Sequence, residues 1–188
     1  MTKPTKSART RSAILDAAQR LFAEHGYDGT TVRDIAAQAS IDPAMVIRYF
    51  GNKDELFAQA AEIKLSLPDL RTVEAATVGR VLIQHFLSVW EGAGSGKGMA
   101  ILLSSATSNE YAASKTREIF AAQVMPAIAG LSNPADAGRR AALVSTQLLG
   151  LALCRYVLKL PPVVALSHDE IIESVAPTLQ RYATGTQG

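Results

Sequence analysis

Three helix-starting signals that follow one another closely constrain this chain more than any other feature. Thr31 and Asp34 have the spacing of a capping box, Asp42 stands before a proline, and Asn52 lies three residues before Glu55. In each case a polar side chain can accept from backbone N–H groups that a helix leaves unpaired at its start. The second signal follows the first by 11 residues and the third follows the second by 10. The spacing therefore predicts short helices in rapid succession.

A longer helix is predicted in front of these, from Ser12 to His25, with Gly26 as its terminator. Its apolar residues recur with the 3.6-residue period of one helix face: Ile14, Leu15, Ala18, Leu21 and Phe22. The next helix is predicted to run from Thr31 to near Ser40. The one after it opens at Pro43, ends near Phe50 and buries Val46 and Phe50. The tight turn over residues 39–41 gives these two helices the arrangement of a helix-turn-helix.

The remainder of the chain carries longer and more apolar helical patterns, and strand signals are nearly absent. We predict helices over 70–91, 97–107, 109–130, 135–159 and 168–183, with a kink or break at Pro126 and at Pro177. The predicted fold class is all-α. It comprises an N-terminal helix-turn-helix domain over residues 1–53 and a C-terminal helical domain over residues 54–188.

Composition and length limit the classes of protein to consider. The 188 residues are 48% hydrophobic and 19% charged, which is typical of a globular protein and not of a disordered chain. The single cysteine, Cys154, excludes an internal disulfide and a cysteine-based zinc site. The N-terminus lacks the apolar stretch of a secretory signal, and no apolar run approaches the roughly 20 residues of a membrane span. We expect a cytoplasmic protein without a membrane partner.

Positive charge is concentrated at the front of the chain. Residues 1–53 contain eight Lys and Arg against five Asp and Glu, whereas the remainder contains eleven against twelve. Four of the bases, Lys3, Lys6, Arg9 and Arg11, fall within the first eleven residues without an acid among them. Such a basic arm is common in proteins that bind nucleic acid. A solvated tail explains the charge equally well, so charge alone leaves both interpretations open.

The helix-turn-helix assigns roles to individual side chains. Arg48 is the best candidate for direct readout of a base, because a guanidinium can bond both major-groove acceptors of guanine. Ala44 and Met45 can touch thymine methyl groups. Thr31, Tyr49 and Lys53 lie where they can hold phosphates, which fixes register without reading sequence. The complete predicted DNA-binding set is Thr31, Arg33, Asp42, Pro43, Ala44, Met45, Arg48, Tyr49 and Lys53.

Residues 14–36 and 48–56 together resemble the DNA-binding domain of the TetR (tetracycline-repressor-like) family. Gly26, Thr31, the pair Tyr49-Phe50 and Lys53 stand at matching positions. The resemblance implies a bacterial, nucleoid-associated repressor that binds a palindromic DNA operator as a homodimer of all-α subunits and responds to a small effector. It also assigns phosphate contacts to Thr31, Tyr49 and Lys53.

The sequence departs from the family pattern at three positions. Ser40 replaces a common glycine in the turn, Ile47 replaces a frequent tyrosine, and Pro43 replaces a residue that could have touched DNA. These changes concern the turn and individual DNA contacts, and they leave the predicted fold unaltered.

Two further sets of residues are predicted in the C-terminal domain. A pocket for a lipophilic or aromatic effector is predicted to be lined by Phe86, Trp90, Leu103, Tyr111, Phe120, Met125 and Gln147, although each residue alone is also compatible with a plain core. A four-helix dimer interface is predicted to use Leu143, Gly150, Leu151, Ile171, Ile172, Val175, Leu179 and Tyr182. A purely intramolecular core is the alternative to this interface.

No catalytic set, cofactor site or metal site is predicted. The glycine-rich stretch 91–98 lacks the first glycine and the Ser or Thr of a phosphate-binding loop, and it follows a helix. His25, His85 and His168 lack metal-ligand spacing, and Cys154 lies in an apolar helical pattern. We therefore predict that the protein is not an enzyme. Two alternatives stay open: a small all-α ligand-binding protein or enzyme with scaffold helices at its N-terminus, and a helix-turn-helix activator without ligand control.

Overall fold

The computed structural model describes residues 5–92, 95–131 and 134–185, and within these residues it contains helices and no β-strand. This agrees with the predicted all-α class. The α-helices, in chain order, are α1 (Lys6–His25), α2 (Val32–Gln38), α3 (Pro43–Phe50), α4 (Lys53–Ala60), α5 (Val78–Glu91), α6 (Ser95–Ser105), α7 (Glu110–Ile119), α8 (Met125–Ala129), α9 (Ala137–Ala152), α10 (Pro161–Val164) and α11 (His168–Thr184). None of them is both long and apolar enough to cross a membrane, as far as the described residues go.

The helices belong to two compact units. The first unit contains the chain up to Ile63 together with Lys97–Ser114, and the second contains Lys64–Gly96 and the chain from Lys115 onwards. The first unit thus extends past the boundary predicted after residue 53, since it takes in α4 and nearly all of α6. Tertiary contacts explain why α6 belongs to the first unit. The hydroxyl of buried Ser105 accepts a hydrogen bond from the Tyr27 amide at 3.1 Å, across 78 residues of sequence.

The cap signals place the short helices correctly. Thr31 and Asp34 form a reciprocal capping box at the start of α2, and the Asp42 carboxylate accepts from the Ala44 amide at the start of α3. At α4, Asn52 accepts from the Glu55 amide. Because each cap satisfies donors that the helix leaves open, it fixes the first residue of its helix.

The first helix begins earlier than predicted. The side chain of Thr5 caps α1 by accepting from the Ala8 amide, so the helix starts at Lys6 and not near Ser12. Lys6, Arg9 and Arg11 of the predicted arm are therefore helical. The remaining base of that arm, Lys3, lies outside the described residues.

Several C-terminal helices also differ from their predicted bounds. Instead of one helix over 70–91, two single 3-10 turns (Leu70–Thr72 and Ala75–Thr77) precede α5. The predicted glycine-rich loop is shorter, because α6 starts at Ser95, and its residues 93 and 94 lie outside the described residues. α6 itself ends at Ser105, two residues before its predicted end. In the last helix, Pro177 lies inside α11 without breaking it.

Two helical runs contain a π-turn. Residues Phe120–Val124 join α7 to α8, and the Met125 amide there bonds five residues back to the Phe120 carbonyl. This wider turn lies directly before Pro126, which has no N–H to continue the α-helical pattern. Residues Leu153–Val157 continue α9 in the same way, so that the predicted helix over 135–159 ends in a π-turn.

Candidate DNA-binding surface

The turn between α2 and α3 is closed by three backbone hydrogen bonds. The amides of Ala39, Ser40 and Ile41 donate to carbonyls of α2, at 2.9–3.1 Å. Ser40 has a φ of +55°, in the left-handed region that costs a residue with a side chain about 1–2 kcal/mol. The common glycine that Ser40 replaces would adopt this backbone without that cost.

We therefore predict that Ser40→Gly raises the free energy of unfolding by about 1 kcal/mol. Urea unfolding followed by circular dichroism, at one fixed protein concentration, measures the change. Ser12→Gly is the matched control, because Ser12 is exposed in the middle of α1. There the same substitution should lower stability by about 0.5 kcal/mol. A Ser40→Gly protein that is less stable than wild type would show that the turn does not strain Ser40.

The third helix presents one face inward and one outward, as predicted. Val46 and Phe50 are buried, with 1% and 3% of their surface exposed. Most members of the predicted DNA-binding set at this helix are exposed: Asp42, Pro43, Ala44 and Arg48, with Met45 half-buried. Ile47 is also exposed. The helix thus offers a guanidinium and small apolar groups along a face that the described residues of the first unit leave at least partly uncovered.

Two predicted DNA contacts are already engaged in capping. The Thr31 hydroxyl donates to Asp34 Oδ2 at 2.6 Å and accepts from the Asp34 amide at 3.2 Å. The Thr31 amide also donates to Asp34 Oδ2, at 2.9 Å. The bonds from the Thr31 hydroxyl and amide to the carboxylate lower the pKa of Asp34, which keeps the group ionised. The Asp42 carboxylate is held in the same way by the Ala44 amide, at 2.7 Å. Arg33, in contrast, is exposed in the first turn of α2.

The two remaining predicted phosphate contacts are positioned by distant residues. Tyr49 is half-buried, and its hydroxyl donates to Ser7 Oγ in the first turn of α1 at 3.1 Å. Lys53 is half-buried at the start of α4, with its Nζ 4.0 Å from the centre of the Tyr27 ring. These contacts restrict both side chains, which reduces the conformational entropy that binding would otherwise remove.

Sequence reasoning placed Arg11 only in the basic arm and gave Tyr27 no role, although both support this surface. The Tyr27 hydroxyl donates to the Asp54 carboxylate; burial first, and then this bond, raise the pKa of Tyr27 to about 12. Arg11 stacks over the Phe50 ring at 4.8 Å and donates to Gln59. These partners lie 27–48 residues apart, so no local pattern could have indicated them.

Comparison with known proteins identifies the arrangement. A sequence profile described as bacterial regulatory proteins of the tetR family matches residues 14–60, and one described as a tetracyclin repressor-like C-terminal domain matches residues 76–183. The chain belongs to the TetR family. The TetR-family regulator SCO0857 of Streptomyces coelicolor A3 is 31% identical over 98% of this chain and 99% of its own, with a TM-score of 0.61.

Other similarities are more limited in extent or in identity. The HTH-type transcriptional repressor Rv3405c of Mycobacterium tuberculosis is 47% identical over 53 residues, so the match spans 28% of this chain and 28% of the relative. The structure of AibR in complex with isovaleryl coenzyme A and operator DNA is 22% identical. It covers 90% of this chain and 97% of its own, with a TM-score of 0.63, and therefore supports the fold alone.

In this TetR-family chain the predicted effector residues are divided between the two units. Tyr111 is exposed in the first unit, with its ring against Phe57, and Leu103 is half-buried in the same unit. Phe86 and Trp90 are buried in the second unit, where they pack on Tyr156, which was not predicted. The other predicted residues, also in the second unit, are half-buried (Phe120 and Gln147) or exposed (Met125).

The structure also shows a cleft that the prediction did not include. It has a volume of about 660 Å³ and lies within the second unit. Its walls are formed by the segment 64–71 and by residues 123–130 around the first π-turn. Gln123 of that turn accepts a hydrogen bond from the Leu65 amide at 2.9 Å, which joins the two walls.

The predicted dimer residues differ in how much surface they expose. Ile171, Ile172 and Leu179 are buried within a single chain, because this face of α11 packs on α5 and α9. These three residues therefore belong to the core of the single chain, which was the alternative to the predicted interface. The others keep surface for a partner: Gly150 is exposed, and Leu143, Leu151, Val175 and Tyr182 are half-buried.

Proposed function

We propose that this protein is a ligand-responsive transcriptional repressor that binds a palindromic operator as a homodimer. The observation that carries the proposal is the outward face of α3. Arg48 and Ala44 are exposed there, whereas Val46 and Phe50 hold the opposite face in the core. In a dimer, two such helices would enter successive major grooves, about 34–36 Å apart. A protein of this kind would act at the bacterial nucleoid.

Regulation would follow from a difference in affinity. An effector can shift the protein away from its DNA-binding state only as far as it binds the two states unequally. We propose a lipophilic or aromatic effector in the C-terminal domain, supported by the aromatic cluster of Phe86, Trp90 and Tyr156. The cleft in the second unit is within the usual volume range of small-molecule sites, about 300–1,000 Å³.

Binding to the DNA upstream of its own gene tests the proposal, with affinity measured by fluorescence anisotropy at rising salt. We expect a steep fall of affinity with salt, because phosphate contacts release counterions. Arg48→Ala should weaken operator binding about 10- to 100-fold and leave binding to unrelated DNA nearly unchanged. Lys53→Ala should weaken binding to all sequences alike and reduce the salt slope by about 1.

Arg139→Ala is the matched control, since Arg139 is exposed on α9 in the second unit. It should change neither the affinity nor the salt slope. Equal effects of Arg48→Ala and Lys53→Ala on every DNA sequence would contradict the division into a base-reading and a phosphate-holding residue. Transcript levels with and without the gene decide whether the protein represses or activates.

A further inference from the structure

The outward face of α3 is largely apolar. The exposed side chains of this helix stand at positions 43, 44, 47 and 48. Residues three or four positions apart share one face of a helix, so these four form one continuous surface. Three of them are apolar, namely Pro43, Ala44 and Ile47, and Arg48 carries the only charge of the helix. Whatever contacts this face therefore meets mostly apolar groups.

Ile47 is the largest apolar side chain on this face. Its surface is 46% exposed, and among residues 5–63 it is the one large apolar residue that the structure leaves substantially exposed. The sequence predicts apolar contacts for Ala44 and Met45, but Met45 is half-buried and the Ala44 side chain is a single methyl group. Ile47 is therefore the main apolar group that α3 can offer to a partner.

Most polar side chains at this helix are already engaged within the chain. The Asp42 carboxylate, which caps α3, accepts from the Ala44 amide at 2.7 Å. The Tyr49 hydroxyl donates to Ser7 Oγ at 3.1 Å. The remaining side chains of α3 apart from Arg48 are aliphatic, aromatic or thioether groups without a strong donor or acceptor. Among the residues of α3, all of which the structure describes, Arg48 is therefore the one exposed side chain that can read bases through hydrogen bonds.

The major groove of DNA offers an apolar side chain one matching group. Thymine presents its C5-methyl group there, whereas guanine presents two hydrogen-bond acceptors. Contact between the Ile47 side chain and a thymine methyl removes both from water, which is favourable in proportion to the apolar area that is covered. Ile47 has no group that could bond a phosphate or the polar edge of a base. The chemistry of this face thus favours thymine at Ile47 and guanine at Arg48.

Helix geometry sets the distance between the two kinds of contact. From Ala44 to Arg48 the helix rises about 6 Å along its axis, and Ile47 lies between these two residues. Successive base pairs of a duplex are about 3.4 Å apart. A helix that lies along the major groove therefore places the contacts of Ala44 and Ile47 within about two base pairs of the guanine that Arg48 contacts.

The charges on the neighbouring helices favour DNA as the partner of this apolar face. The helices that pack on α3 carry cations, namely the exposed Arg33 on α2 and the half-buried Lys53 on α4. The nearby carboxylates of Asp34 and Asp42 are engaged by backbone amides at 2.9 and 2.7 Å. Cations on both sides of an apolar helix face match the phosphates on both sides of a groove that contains thymine methyl groups.

We propose that Ile47 is a specificity-determining residue that recognises the methyl group of a thymine. Each operator half-site then carries a thymine within about two base pairs of the guanine that Arg48 contacts. This inference rests on the proposed function, because it names the chemistry of the operator that such a repressor binds. Ala44 adds a smaller contact of the same kind, and Arg48 supplies the hydrogen bonds.

Removing single methyl groups from the DNA tests the inference with the protein unchanged. The full chain first selects its preferred duplex from a random pool. Each thymine of that duplex is then replaced by deoxyuridine, which lacks only the C5-methyl group. Near the guanine whose replacement no longer matters to Arg48→Ala, we expect at least one exchange per half-site to weaken binding about 4-fold, as the loss of one buried methyl group would. Thymines farther away are the matched control and should tolerate the exchange.

Two variants assign the sensitive thymine to Ile47. Ile47→Ala should bind the thymine and deoxyuridine duplexes equally well, whereas Ile47→Val, which keeps a branched apolar side chain, should retain most of the difference. Because Ile47 is exposed, neither substitution disturbs the core. A selected duplex that tolerates deoxyuridine at every position, or a position that stays sensitive in Ile47→Ala, overturns the inference alone. A chain that selects no sequence from the pool contradicts the proposed function as well.

Discussion

Replacing Phe22 with alanine is expected to lower the free energy of unfolding by about 4 kcal/mol. Phe22 has no exposed surface and lies at the centre of the first unit. Its ring meets Phe57 edge-on at a centroid distance of 5.0 Å and stacks near Tyr27 at 6.2 Å. Alanine would remove both contacts and leave a cavity between α1 and α4 that could close only if one of these helices moved.

Phe22→Ala should also weaken DNA binding, because it removes support from the DNA-binding surface. Tyr27, which loses a neighbouring ring, supports the Lys53 ammonium through its aromatic face. We therefore expect operator affinity to fall even at temperatures where the variant remains folded. Urea unfolding at fixed protein concentration measures stability, and anisotropy measures binding. Phe22→Leu, which fills most of the space, should cost only about 1 kcal/mol. Equal losses for both variants would argue against a cavity as the cause.

Replacing Gly79 with alanine is expected to destabilise the second unit by about 3 kcal/mol. A Cβ at this position would lie 2.2 Å from the Ala176 carbonyl oxygen and 2.6 Å from the Gln180 amide nitrogen, both backbone atoms of α11. The Gly79 amide also donates to Gln180 Oε1 at 2.8 Å. A methyl group would therefore force α5 and α11 apart and stretch that hydrogen bond.

Gly138→Ala provides the matched comparison. Gly138 also lies in the first turn of a helix, but an added Cβ there would meet no atom within 4 Å. That change should raise stability by up to about 1 kcal/mol, because alanine has the higher helix propensity. Thermal unfolding at one protein concentration compares the two variants. A Gly79→Ala protein as stable as Gly138→Ala would show that α5 and α11 approach each other less closely than described.

The sequence predictions that were confirmed rest on interactions between residues close together in the sequence. The caps at Thr31, Asp42 and Asn52 act within three residues, and each is found where the sequence predicted it. The inward face of α3, with Val46 and Phe50, depends only on helix periodicity. The start of α1 was missed because Thr5 provides a cap without a distinctive neighbouring residue.

The chain by itself determined what local chemistry can fix: the order of the short helices, their caps and the inward and outward faces of α3, because these depend on residues a few positions apart. Tertiary structure decided everything that depends on contact between distant segments. Only the packed chain shows that Tyr27 lies under Lys53, that Ile171 and Leu179 are inside one subunit, and that Arg155 donates to the carbonyls of residues 163, 164 and 166. An apolar helix face has the same sequence pattern whether it packs in its own core or against a partner. Only the tertiary contacts of its side chains distinguish the two cases.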